Sequence, residues 1–251
     1  MKIHRFYIGK PLEDKDTLLI ENTELAHQMK NVLRMDPGDS AVLFDDNGIE
    51  YLVEIISIAD DVIHMKVAER RKKEINITND ICICSSIIKK DKYEWVLEKC
   101  TEIGVSHFIP ILTERTEKKE VNFERALKII KEAAEQSGRV DIPKISDEVK
   151  RLENIFVELS NEKLLGKKFA PVVLHIEGKP FDKNEILNIA KEEGKKDKKE
   201  IGLAVFIGPE GGWSASELAF FKERGLQLYS LGNQILKAET AAIAISALLL
   251  L

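Results

Sequence analysis

The apolar and polar positions of this chain follow two different rhythms. In the first stretch IHRFYI alternates and predicts a strand. TELAHQMKNVL has helical spacing, with Asn22 or Thr23 as its N-cap, and MDPGD marks a turn. SAVLFDDNGIEYLVEIISI predicts two strands joined at Asp-Asn-Gly, a hairpin signature, and VIHMKVAE a further strand. Several strands and one short helix in this length predict a small β-barrel, and the basic run ending at residues 70–73 reads as a linker.

Beyond it, apolar strands alternate with helices. ICICSSII, HFIPIL, PVVLHI, LAVFIG and LQLYSLG read as strands. KYEWVLEKCTEI, FERALKIIKEAAEQ, NIFVELSNEKL, FDKNEILNIAKE, SASELAFFKERG and ETAAIAISALLLL read as helices. Such alternation predicts a parallel sheet covered on both faces. Ligands bind such sheets in loops at the carboxyl ends of the strands. Three strand ends therefore hold the candidate chemistry: residues 172–178, 203–217 and 228–242. In the second, Gly208-Pro209-Glu210-Gly211-Gly212 forms a tight turn with bare main-chain groups. Ser214-Ala215-Ser216-Glu217 then opens a helix as a capping box. The turn is neither a dinucleotide fingerprint nor a P-loop. A structural turn would not need the carboxylate of Glu210. In the third, Leu231-Gly232 ends a strand and Glu239-Thr240 opens the last apolar helix.

Composition changes this picture little. The 251 residues, 44% apolar and 32% charged, are those of an ordinary globular protein. The net charge is −5, and residues 1–73 carry 11 Lys/Arg against 14 Asp/Glu, a mild argument against a nucleic-acid partner. A local basic patch would outweigh that sum. The N-terminus lacks the apolar core of a signal peptide. The longest apolar run, residues 241–251, is too short for a bilayer, so no membrane role is expected. Cys82, Cys84 and Cys100 are odd in number and form no C-x-x-C pair. They read as reduced core residues of a cytoplasmic protein, with no metal site. The run KEEGKKDKKE reads as a solvated helix end and loop.

IGPEGGWSASE followed by LGNQILKAETAA resembles the signature of the SPOUT methyltransferases, specifically the RsmE type, which makes N3-methyluridine in small-subunit (16S) ribosomal RNA. The likeness covers nearly the whole chain. It includes His4-Arg5-Phe6-Tyr7, His27 with Val32-Leu33-Arg34-Met35, Lys90-Asp91-Lys92 with Glu98-Lys99-Cys100-Thr101-Glu102-Ile103-Gly104-Val105, Glu114-Arg115-Thr116, and the block from Glu132 to Arg139. The resemblance implies an α/β fold: a PUA-like β-barrel over residues 1–73 that helps hold RNA, then a parallel-sheet SPOUT domain over 74–251. Its last strands and helix would form a trefoil knot. It also implies a homodimer, with ribosomal RNA or the small ribosomal subunit as partner. The chain departs from the family's L-G-P-R-I-L-R-x-E-T-A at Asn233, Gln234 and Lys237; lysine at the last keeps the charge but not the two-pronged guanidinium.

The cofactor so implied is S-adenosylmethionine, held by the three loops. Its contacts would come from Leu174 and His175, from Ile207, Gly208, Gly211 and Gly212, and from Leu231, Gly232, Leu236 and Thr240. Methylating uridine N3 requires removing its proton and stabilising the ring anion. Arg139 is the candidate for stabilising that charge, and Glu210 or Glu239 for orienting the uracil or relaying its proton. RNA contacts are expected from Arg5, His27, Arg34, Lys90, Arg115 and Lys237. Trp213 reads equally well as a base-stacking or a packing residue. The rival readings are a SPOUT enzyme acting on transfer RNA or a 2′-hydroxyl, and an RNA-binding module without catalysis.

Overall fold

The computed structural model describes residues 3–45, 47–72, 80–160, 168–197 and 201–251. Tertiary contacts divide the chain into two compact units. One comprises Met1–Asn76 with Ala134–Ile142, the other Ile77–Ala133 with Pro143–Leu251.

The first unit is a five-stranded sheet built from β1 (His4–Tyr7), β2 (Thr17–Glu21), β3 (Ser40–Phe44), β4 (Ile49–Ile58) and β5 (Val62–Lys72), in the order β1-β3-β4-β5-β2. β1 runs parallel to β3, and the other pairs are antiparallel. Alternation decides the faces: in β2, Leu18 and Ile20 are buried while Leu19 is 61% exposed. The predicted hairpin is the β3–β4 pair. Among the described residues no ladder joins β1 to β2. The predicted linker is also corrected, because residues 70–72 continue β5 and Arg70 and Arg71 pair with Tyr51 and Glu50. Lys73 lies outside the described residues.

Helix α1 (Thr23–His27) is capped by Asn22, whose side chain accepts from the Leu25 N–H at 3.0 Å, and a π-helical turn over Gln28–Val32 extends it. Leu25, Ala26 and Met29 seal the core with Phe6, Leu43, Val53 and Met65. The chain leaves this turn through Arg34, at φ +54° the one non-glycine residue in the left-handed region among those described.

The second unit holds a parallel sheet in the order β12-β10-β11-β6-β7-β8, with β9 also on β7. The strands are β6 (Ile81–Ser86), β7 (His107–Leu112), β8 (Lys144–Ile145), β9 (Lys150–Arg151), β10 (Phe169–Pro180), β11 (Gly202–Ile207) and β12 (Leu228–Ser230). Every residue of β6 and β11 is buried, as central parallel strands demand. The helices are α2 (Lys90–Ile103), α3 (Phe123–Ser137), whose last residues from Ala134 belong to the first unit, α4 (Leu152–Ser160), α5 (Lys183–Asp197), α6 (Ala215–Glu223) and α7 (Ala238–Leu250). The helix predicted through residue 164 and the last residues of the Lys-rich run, 198–200, extend outside the described residues. Phe156 of α4 stacks on Phe206 of β11 with ring centres 4.6 Å apart, anchoring the core that also contains Trp213 and Phe221. Cys82 and Cys84 lie buried on one face of β6, sulfur to sulfur 3.8 Å. His107 is equally structural, bonded to the Ser106 hydroxyl at 3.1 Å and edge-on to Phe169. The apolar α7 is an inner helix: Ala242, Ile245 and Leu249 are fully buried, and it packs against α2 and β6. No helix among the described residues is long and apolar enough to cross a membrane.

Candidate active site

Three loops at the carboxyl ends of β10, β11 and β12 converge on one cavity of about 290 Å³, within the second unit. Each loop is shaped by its own local chemistry.

The first is a bulge. Leu174 of β10 pairs with Tyr229, and so does Lys179, so residues 175–178 are looped out of the ladder. The excursion carries His175 and Ile176 to the cavity wall. It closes at Gly178, where an added Cβ would meet the backbone of Leu228 and Tyr229 at 2.7 Å.

The second loop follows β11. Gly212, at φ +67°, donates its N–H to Pro209 O at 2.9 Å and closes the turn. Ser214 caps α6 in a reciprocal box: its hydroxyl accepts from the Glu217 N–H at 3.1 Å, and Glu217 accepts from the Ser214 N–H at 2.7 Å. The predicted capping box is thus formed. The other Glu217 oxygen accepts from the Glu114 N–H at 2.9 Å, Arg115 donates to Gly211 O at 2.7 Å, and Ser216 donates to the Glu114 carboxylate. Bonds from the Ser216 and Ser214 hydroxyls hold the Glu114 carboxyl below its usual pKa. The Glu114-Arg115-Thr116 segment, after β7, therefore clamps the glycine turn.

The third loop follows β12. The Ser230 hydroxyl donates to Gly232 O at 2.8 Å, and Gly232 at φ +142° turns the chain along the cavity. Ile235, 85% exposed, and Leu236, 37% exposed, stand at its wall before Lys237, which occupies the N-cap position of α7 without a side-chain bond. Trp213 ties loops together: its indole N–H donates to Leu174 O at 2.8 Å, and the ring meets Phe221 edge-on. It is 4% exposed, so of its two readings packing holds.

Of the residues expected to contact a cofactor, Leu174, His175, Ile207, Gly208, Gly212, Leu231 and Leu236 line the cavity, as do Glu210 and Lys237. Gly211, Gly232 and Thr240 do not. Gly211 faces Arg115, Gly232 shapes the turn, and Thr240 is exposed one residue beyond the buried Glu239. Glu239 is 4% exposed and pairs with Lys92 at 3.0 Å. Arg139 belongs to the first unit, where it bonds Asp141 and its carbonyl accepts from Arg5. Arg5 is held by Glu50 at 2.6 Å. His27, Arg34 and Arg115 are exposed, and the Lys90 side chain lies outside what is described. Sequence reasoning missed Ile176, Tyr229, Gln234 and Ile235 on the wall.

Residues 75–250 match the family described as RNA methyltransferase domain, and residues 20–67 the family described as RNA methyltransferase PUA domain. The chain is 31% identical to the ribosomal RNA small subunit methyltransferase E of Bacillus subtilis, covering 98% of this chain and 96% of that one. It is 29% identical to the protein of the same name from Rickettsia conorii, covering 97% and 93%. Among solved structures, a putative methyltransferase from Legionella pneumophila in complex with the bound cofactor SAM superposes with a TM-score of 0.78 at 25% identity, over 99% of this chain and 97% of that one. The chain therefore belongs to the RNA methyltransferase family, in the branch of the ribosomal RNA small subunit methyltransferases E.

Proposed function

We propose that this protein methylates N3 of a uridine in small-subunit (16S) ribosomal RNA, with S-adenosylmethionine as methyl donor. The observation that carries this reading is the convergence of the three strand-end loops on one cavity in a chain of this family. The cavity fits the donor. Its volume lies near the lower bound for small-molecule sites, which suits a compact, folded ligand. Much of its wall is main chain: an added Cβ at Gly208 would come within 3.2 Å of the Trp213 indole, and Gly212 has no side chain to cover its peptide groups.

When bound, S-adenosylmethionine supplies a methyl group on a positively charged sulfur. The chain's own residues do the rest. Leu174, Ile207, Leu231 and Leu236 bring apolar surface that excludes water, and bare peptide groups at Gly208 and Gly212 orient the ligand. A carboxylate, Glu210 or Glu239, orients the uracil or takes its N3 proton. Arg139 stabilises negative charge on the base or its phosphate.

The first unit, with Arg5, His27 and Arg34, holds RNA as a PUA-like module; Lys90, Arg115 and Lys237 contact RNA from the second, dividing the chain near residue 73. The last strands form a trefoil knot. In support, β12 lies across β10 from β11, and Gly178 is seated on the backbone of β12. The exposed Leu248 of the last helix and Leu251 just beyond it support a homodimer. A cytoplasmic location accompanies this function.

Calorimetry with S-adenosylmethionine and mass spectrometry of nucleosides from treated 16S RNA test the reading. Heat of binding and N3-methyluridine are expected. Arg139→Ala is expected to abolish methylation while sparing cofactor affinity. No heat would leave an RNA-binding module, and a different methylated nucleoside another RNA methyltransferase.

A further inference from the structure

Lys92 and Glu239 form an ion pair for which neither the fold nor the cofactor site gives a use. Lys92 rises from the first turn of α2 and Glu239 sits in the first turn of α7, with Nζ 3.0 Å from Oε1. The Glu239 side chain is 5% exposed and Lys92 29%. The flanking Ala238 and Ala241 are cavity wall. The second Glu239 oxygen is buried and has no hydrogen-bond donor among the described residues. The carboxylate's partners are the ammonium and the N-terminal end of α7. As a proton acceptor it would have to give up its ion pair. Glu210 differs: it is exposed and stands on the cavity wall.

We propose that Lys92 is a second cation, in addition to Arg139, that offsets the negative charge of the uracil ring during methyl transfer, that Glu239 is the positioning residue that fixes it, and that Glu210 takes the N3 proton. This rests on the uridine-N3 reading above. The N3–H bond breaks, its electron pair stays on the ring, and the proton passes to Glu210 and then to water. The ring's charge spreads to the two flanking carbonyl oxygens, where an ammonium acts best. N3 then bonds the methyl carbon as the sulfur–carbon pair returns to sulfur. A free lysine is a mobile charge; one already clamped by a buried carboxylate need not reorganise as charge develops. The Glu239 carboxylate, with smaller contributions from Glu210 and Asp91, raises the Lys92 pKa, so the ammonium persists at neutral pH.

The test compares Lys92→Arg and the double variant Lys92→Met with Glu239→Gln, which replaces the pair by neutral groups of similar volume. Melting, calorimetric affinity for S-adenosylmethionine, and single-turnover methylation of 16S RNA are measured. The double variant is expected to melt near wild type and bind the donor within about threefold, while its transfer rate falls about 100-fold. Lys92→Arg is expected to recover to within about tenfold of wild type. On RNA containing 5-fluorouridine, whose N3–H is more acidic, the deficit is expected to shrink to about tenfold. A double variant that transfers methyl at the wild-type rate, or shows the same deficit on both RNAs, overturns the proposal. If the double variant does not fold, Glu239→Gln decides: a rate within about tenfold of wild type supports the assignment, and a loss matching that of Glu210→Gln overturns it. Failure of the wild-type protein to methylate any ribosomal uridine would bring down the underlying reading, a result distinct from a functional lysine-free variant.

Discussion

The indole N–H of Trp213 donates to the main-chain carbonyl of Leu174 at 2.8 Å, joining the loop after β11 to the end of β10 just where β10 leaves its ladder. The cavity is therefore braced by a side chain that follows the glycine turn and points back beneath it.

Replacing this brace tests its weight. Trp213→Phe keeps an aromatic ring against Phe221 but leaves the Leu174 carbonyl without its indole donor. A loss of about 1–3 kcal/mol is expected, with weakened donor binding. Denaturant unfolding and calorimetry read the two effects. Unchanged values in both would show that the bond organises nothing.

Gly178→Ala is the sharpest steric test. The new methyl would sit 2.7 Å from main-chain atoms of Leu228 and Tyr229, which cannot swing aside as a flexible side chain would. The β10–β12 register must shift, and the bulge that carries His175 and Ile176 shifts with it. We expect a clear drop in melting temperature and loss of donor binding. Wild-type affinity in a folded Gly178→Ala protein would contradict this account of the first loop.

Glu217 is buried and serves two main-chain donors, Ser214 N–H at 2.7 Å and Glu114 N–H at 2.9 Å. Glu217→Ala removes half of the capping box and frees the segment that clamps the glycine turn. A cost of about 1–3 kcal/mol is expected, together with faster hydrogen exchange at Glu114 and Ser214. Exchange rates equal to wild type at both amides would argue against the clamp.

The cysteines offer a pH-dependent test. Burial disfavours the thiolate, raising the Cys82 thiol well above its usual pKa and pushing Cys100 up to about 12. Since only the thiolate attacks, a thiol reagent at pH 7–8 should find neither Cys82 nor Cys100 until the chain unfolds. Raising the pH toward 9 should not open them in the folded state. Rapid native-state labelling would mean that the β6 core is more open than described.

Much of the second unit was readable from local pattern. Its strands are short apolar runs between amphipathic helices, and continuous burial along β6 and β11 leaves that pattern unambiguous. The glycine turn and capping box were legible too, because backbone freedom and helix capping are properties of adjacent residues. The first unit was less so. Residues 70–72 read as a linker because they are basic, yet an edge-exposed strand tolerates charge when its backbone is paired.

Sequence by itself determined the elements, the family and the three loops that carry the cavity, because these depend on residues near one another along the chain. Tertiary structure alone decided that residues 175–178 bulge out of their ladder, that Ala134–Ile142 joins the first unit, and that Lys92 meets Glu239. Each of these joins positions that are distant in the chain, and such pairings are settled by the packing of whole elements rather than by local preference.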